Sequence, residues 1–103
     1  MANRRAGKRA VRLRPIWDAQ RHELRFRGRV LREFDRPAAR PDRLLKAFQA
    51  EGWQDRILNP FSPEGHRSAC DVLNDTVRNL NRDLPLIRFG CEGKGTFATW
   101  RLR

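Results

Sequence analysis

The chain has little of what enzymes and metal proteins use. Its two cysteines, Cys70 and Cys91, stand alone, neither in a CxxC pair, and His22 and His66 have no ligand spacing. No metal and no cofactor is expected. Both thiols are expected to be small buried apolar groups, which fits a reducing cytoplasm. No apolar run approaches the ~18 residues a membrane span needs, so no membrane partner is expected. The N-terminus has charges but no apolar run behind them, which does not read as a secretory signal. There is no G-x-S-x-G elbow and no HExxH. The string Gly90-Cys91-Glu92-Gly93-Lys94-Gly95 lacks the full GxxxxGK[ST] spacing of a phosphate loop, and no helix follows it. His66 and Cys70 are four apart and could share a helical face, but a catalytic dyad is not the expected reading. No catalytic residue, and no small-molecule ligand, is expected. Internal repeats are missing too.

What the chain does have is positive charge. Among 103 residues, 23 are Lys or Arg and 12 are Asp or Glu, a formal net charge of +11. So basic a small domain attracts polyanions, because neutralising phosphates releases condensed counterions. The charge is uneven: residues 1–40 hold thirteen basic and four acidic side chains, and residues 41–103 hold ten and eight. Twenty of the basic residues are Arg, whose planar fork grips phosphate and guanine bidentately.

The length predicts one domain, with a modest core. Residues 1–14 carry Arg4, Arg5, Lys8, Arg9, Arg12 and Arg14 without an acid, and their low apolar content predicts a disordered basic tail that tracks phosphates. The domain proper is expected over 15–103. Residues 15–36 read as antiparallel strands: Leu24 and Phe26 alternate with Arg25 and Arg27, and Arg27-Gly28-Arg29 reads as a hairpin turn. Pro37 and Pro41 close this sheet. Leu44, Leu45 and Phe48 recur at helical spacing, which predicts a helix over 42–53 with Gly52 at its C-terminal end. Residues 54–61 read as a helical turn or an irregular connection. Ser62-Pro63 then reads as an N-cap and first helical position, opening a long helix over 63–84 that stops before Pro85. Ala69, Leu73, Val77, Leu80 and Leu84 form its inward stripe, flanked by Val72 and Thr76. Strands over 86–90 and 96–102 close the chain as a hairpin with a Gly-rich tip. Trp17, Trp53, Trp100 and the phenylalanines read as core.

The opposite stripe of the long helix holds Arg67, Asp71, Asn74, Arg78, Asn81 and Arg82. Asn pairs bidentately with adenine and Arg with guanine in a B-DNA major groove, so Arg67, Asn74, Arg78, Asn81 and Arg82 are candidate base contacts. Asp71 and Asp75 oppose this by repelling phosphate. Lys94 at the hairpin tip is a candidate phosphate contact, as a wing beside a reading helix would provide. Arg27 and Arg29 in the first hairpin are further phosphate candidates, on a ridge that also includes Arg25 and Arg32.

The order of elements resembles the winged-helix effector domain of bacterial two-component response regulators. Three places carry the likeness. Leu24-Arg25-Phe26-Arg27-Gly28-Arg29-Val30, with Leu44-Leu45-Lys46-Ala47-Phe48 after it, resembles the family's strand–Gly–strand turn and first core helix. Val77-Arg78-Asn79-Leu80-Asn81-Arg82-Asp83-Leu84 resembles the end of its recognition helix. Leu86-Ile87-Arg88-Phe89-Gly90 through Thr96-Phe97-Ala98-Thr99-Trp100 resembles its wing. The resemblance implies an α+β winged helix with N-terminal antiparallel strands, two or three helices and a C-terminal hairpin. It also implies a bacterial protein that binds double-stranded DNA without catalysis, as a small transcriptional regulator or a nucleoid-associated factor. Asn81 and Asp83 stand where the family carries basic residues, and residues 54–61, with Pro60, are short for its second helix. No receiver domain accompanies the pattern, so no phosphorylation switch is implied. An RNA- or ribosome-associated basic protein and a winged-helix protein-interaction module remain the other readings.

Overall fold

A computed structural model describes residues 13–36 and 38–103. Arg4, Arg5, Lys8, Arg9 and Arg12, and with them most of the expected tail, lie outside the described residues. Among the described residues the fold is α+β, with two helices and two three-stranded antiparallel sheets.

The first sheet comprises β1 (Ile16–Asp18), β2 (Glu23–Phe26) and β3 (Arg29–Glu33), in the order β1-β2-β3. Arg27 and Gly28 both take positive φ, +55° and +75°, which is the backbone a two-residue hairpin turn requires and which glycine adopts without strain. Trp17, Leu24, Phe26 and Leu31 turn inward, whereas Ile16 and Val30 remain exposed.

Helix α1 spans Ala39–Ala50, three residues earlier than the periodicity predicts. Pro41 occupies its third position, where its missing N–H would have no intrahelical partner in any case. Gly52 follows the C-cap Glu51 at φ +72°. Leu44, Leu45 and Phe48 are fully buried. Gln49 and Asp42 pin the first sheet to α1. The Trp17 backbone N–H donates to Gln49 Oε1 (3.1 Å) and the Trp17 indole N–H donates to Asp42 Oδ1 (2.9 Å).

Residues 54–61 correct the expectation of a helical turn or irregular link. Arg56–Leu58 is a strand, β4. Ile57 is buried opposite Ala98, where the small alanine leaves room for it. The long helix is also shorter than predicted: α2 spans Ala69–Asn81, not 63–84. Its N-cap is Ser68, whose Oγ accepts from the Asp71 N–H at 3.0 Å, rather than Ser62. Gly65, at φ +58°, places a tight turn between Glu64 and Arg67, and these two residues bridge by backbone bonds of 2.8 and 2.9 Å. The segment after β4 therefore contains no helix, and the described residues hold two helices, the smaller of the two or three that the resemblance implies. At the other end Arg82 leaves helical geometry and Asp83 takes φ +57°, so Leu84 reaches the core from beyond the helix.

The chain ends in β5 (Ile87–Glu92), a short 3-10 turn at Gly93–Gly95, and β6 (Phe97–Leu102). The second sheet has the order β4-β6-β5, so the strand after α1 pairs with the last strand and β5 forms an edge. Helix α1 packs against β1 and α2 packs against β5 and α1, and the centre is aromatic. Phe48 stacks on Trp53 at 5.1 Å and 7°, and Trp53 meets Trp100 edge-on at 5.9 Å. Trp100 in turn meets Phe26 of the first sheet at 6.5 Å, so one chain of rings crosses the molecule. Among the described residues no helix is long and apolar enough to cross a membrane.

Candidate nucleic-acid interface

Helix α2 buries Val72, Leu73, Thr76, Val77 and Leu80, which fixes its polar face outward. One edge of that face is stitched to the C-terminal hairpin at three heights. The Cys70 thiol donates to the Lys94 carbonyl (2.7 Å) at the hairpin tip. The Cys91 thiol donates to Asn74 Oδ1 (3.2 Å). The Asn81 side chain both donates to the Phe89 carbonyl (2.9 Å) and accepts from the Phe89 N–H (2.8 Å). Gly95 permits the close approach at the tip, since a Cβ there would lie 2.6 Å from Cys70 Sγ. The two cysteines are free and half-buried; burial, and next Cys70 nearby, push the Cys91 thiol pKa up. They are packing and hydrogen-bonding groups between helix and hairpin.

The predicted base-contacting residues divide into two groups. Arg67, Asn74, Arg78 and Arg82 are exposed. Arg67 ion-pairs with Asp75, and its guanidinium also reaches the Asp71 carbonyl at 3.4 Å. Arg78 lies 3.4 Å from Asp75 but keeps 76% of its side chain exposed. Asp75 thus lies between two guanidinium groups, which reduces the repulsion it would offer to a phosphate. Exposed pairs of this kind are worth about 0–1 kcal/mol, so Arg78 can exchange Asp75 for another anion at small cost. Asn81 belongs to the second group: both ends of its amide are used by Phe89, so its role here is to cover the open edge of β5.

The predicted phosphate-contacting residues divide in the same way. Lys94, at φ +56°, is exposed at the hairpin tip beside the start of α2. Arg27, within the turn of the first sheet, and Arg29, just after it, are exposed, and Arg27 lies over the Phe26 ring at 5.1 Å. Arg14 donates to the Gly52 carbonyl at 2.9 Å, which ties the end of the basic segment to the end of α1. Of the ridge around them, Arg25 pairs with Glu23 at 2.9 Å.

Arg32 has a use the sequence pattern does not reveal. Its guanidinium donates to the Asn79 carbonyl (2.6 Å), the Leu80 carbonyl (3.3 Å) and Asn79 Oδ1 (2.9 Å), and it lies 4.9 Å over the Phe34 ring. It caps the carbonyl end of α2, where a cation also meets the negative end of the helix dipole. Burial, followed by nearby Arg82, lowers its pKa from the ordinary arginine value, and Asp83 opposes them. Through Arg32 the first sheet fixes the C-terminus of α2, while the hairpin fixes its length.

Among the described residues no group of three or more His, Cys, Asp or Glu is placed to hold a metal ion. The chain matches no protein-family model, no curated protein and no solved structure.

Proposed function

We propose that this protein binds double-stranded DNA without catalysis, as a small regulator or nucleoid-associated factor of winged-helix design. Helix α2 enters the major groove, and the β5–β6 hairpin is the wing that contacts the adjacent backbone. The observation that carries the reading is the triple stitch between α2 and the hairpin. It makes one block of the exposed Arg67, Asn74 and Arg78 and the tip residue Lys94. The thirteen residues of α2 give a rod about 20 Å long, narrow enough for a groove about 12 Å wide. The path α1, β4, α2, hairpin, with β4 returned to the last strand, supports the same design. A duplex is favoured over single strands because the three Trp and Phe26, Phe48, Phe61 and Phe89 are buried, and the partly buried Phe34 and Phe97 are covered by the guanidinium groups of Arg32 and Arg56, which leaves bases little stacking platform.

Selection from a pool of randomised duplexes is expected to enrich a short motif. Asn74→Ala and Arg78→Ala should each flatten the preference at one position, at about 1–3 kcal/mol for a bidentate contact. If both variants enrich the same motif as the parent chain, α2 is not the reading element.

A further inference from the structure

The back of the hairpin carries a second charged surface. Along β5, Phe89 and Cys91 turn toward α2, so Arg88, Gly90 and Glu92 turn away from it. Along β6, Ala98 and Trp100 face the core, and Phe97, Thr99 and Arg101 face out. The strand register sets these side chains in rows: Leu58, Phe97 and Glu92; Arg56, Thr99 and Gly90; then Arg101 and Arg88. Arg56 lies over the Phe97 ring at 4.5 Å and reaches Glu92 at 3.4 Å.

The last row is the unusual one. Arg88 and Arg101 stand directly opposite each other across the strand pair, both exposed, and among the described residues no carboxylate pairs with either. Like charges at directly opposed positions destabilise a sheet, so this pair costs the hairpin stability unless an anion lies between the two groups. Beside them Gly90 leaves the middle of the face without a side chain. A Cβ at Gly90 would lie 2.9 Å from Thr99 Oγ1. A separate shallow groove lies on the β4 side of Arg101, where Asp55, Arg56, Glu92 and Thr99 line it, and neither Gly90 nor Arg88 belongs to it.

We infer that this outer face holds a second run of phosphodiester backbone, so that one molecule joins two duplexes, one on α2 and one behind the hairpin. The inference rests on the duplex-binding reading, to which it adds a second contact surface. Two guanidinium forks on adjacent strands match phosphate oxygens bidentately, and a phosphate between them removes their mutual repulsion. The side chains of this face point away from α2, so a duplex lying along α2 leaves it open.

The test uses a duplex tethered to beads, the full chain, and a second, fluorescent duplex in solution. The parent chain is expected to bind the beads and to capture the free duplex. In the double variant Arg88→Thr/Arg101→Thr, bead binding through α2 is expected to persist while capture falls by roughly tenfold, through the loss of phosphate contacts. Its thermal midpoint is expected to stay level or to rise, because the like-charge pair is gone. Bead binding without capture by the parent chain, or equal capture by the variant, overturns the second surface and leaves the α2 reading standing. Failure of the parent chain to bind the tethered duplex at all overturns the duplex reading itself.

Discussion

Trp53→Ala is expected to lower stability by about 4 kcal/mol, in the range found for large aromatic residues deleted from a core. Trp53 is buried, stacked on Phe48, edge-on to Trp100 and tilted against Phe89 at 6.3 Å. Its indole N–H donates to Gln49 Oε1 (2.7 Å), and its carbonyl accepts from the Trp100 indole at 3.0 Å. The residue also takes φ +59°, in the left-handed region, so the surrounding rings hold the backbone there against its own preference. Removing the ring releases that hold and leaves a cavity at the junction of α1 and the second sheet. In a domain of this size 4 kcal/mol corresponds to a fall of some 15–30 °C in the thermal midpoint, read by circular dichroism. Trp53→Phe, which keeps the stack and loses the N–H, should cost less than half as much. A loss under 1 kcal/mol for Trp53→Ala contradicts the aromatic chain as the centre of the fold.

Asn81→Ala is expected to cost about 2 kcal/mol, since it leaves the Phe89 N–H and carbonyl on a half-buried strand edge without their partners. The effect is local in origin. The Asn81 amide acts as a substitute for a neighbouring strand along β5, whose other side pairs with β6. Hydrogen exchange at the Phe89 amide should quicken by roughly 30-fold, the equivalent of that free energy at 1.4 kcal/mol per factor of ten. The exposed edge should also make the variant more prone to associate. Unchanged exchange at Phe89 would mean that Asn81 does not hold the hairpin to the helix.

Much of this architecture is legible in the sequence. The Arg27-Gly28 turn follows from the need for positive φ at a tight hairpin, and the C-terminal hairpin follows from its alternation about a Gly-rich tip. Leu44, Leu45 and Phe48 mark α1, and Leu73, Val77 and Leu80 mark the inner side of α2. Three features escape such reading, each for a physical reason. Strand β4 has only three residues, Arg56–Leu58, and one buried position, Ile57, too short a run for a period to appear. It exists because β6 supplies its hydrogen bonds from some forty residues away.

The start of α2 is set by a contest between two serines. Ser62-Pro63 has the better local pattern, but Gly65 favours a turn, and Ser68 caps the helix where the apolar spacing begins. Asn81 reads as a base-contacting residue by its place on the polar stripe. Only the packing of β5 against α2 shows that its amide is already used. The Arg88–Arg101 pair escapes similarly, because it becomes a pair only once the hairpin register is known.

The charge distribution takes its meaning from this arrangement. The basic N-terminal segment and the turn around Gly28 can supply affinity that does not depend on sequence. The helix and hairpin, which carry less net charge, hold the side chains that the proposal assigns to telling one base from another. In the proposed duplex-binding reading the two functions occupy different parts of the chain.

That division makes binding to a mixed-sequence duplex across 50–200 mM salt, followed by fluorescence anisotropy, the most direct measurement of the central claim. The logarithm of the affinity should fall linearly with the logarithm of salt concentration, with a slope of about −0.9 for each phosphate contacted. A chain using Lys94, Arg27, Arg29 and the basic N-terminal segment should show a slope of roughly −4 or steeper. Absence of binding at 50 mM salt, or single-stranded RNA outcompeting the duplex, would contradict the account.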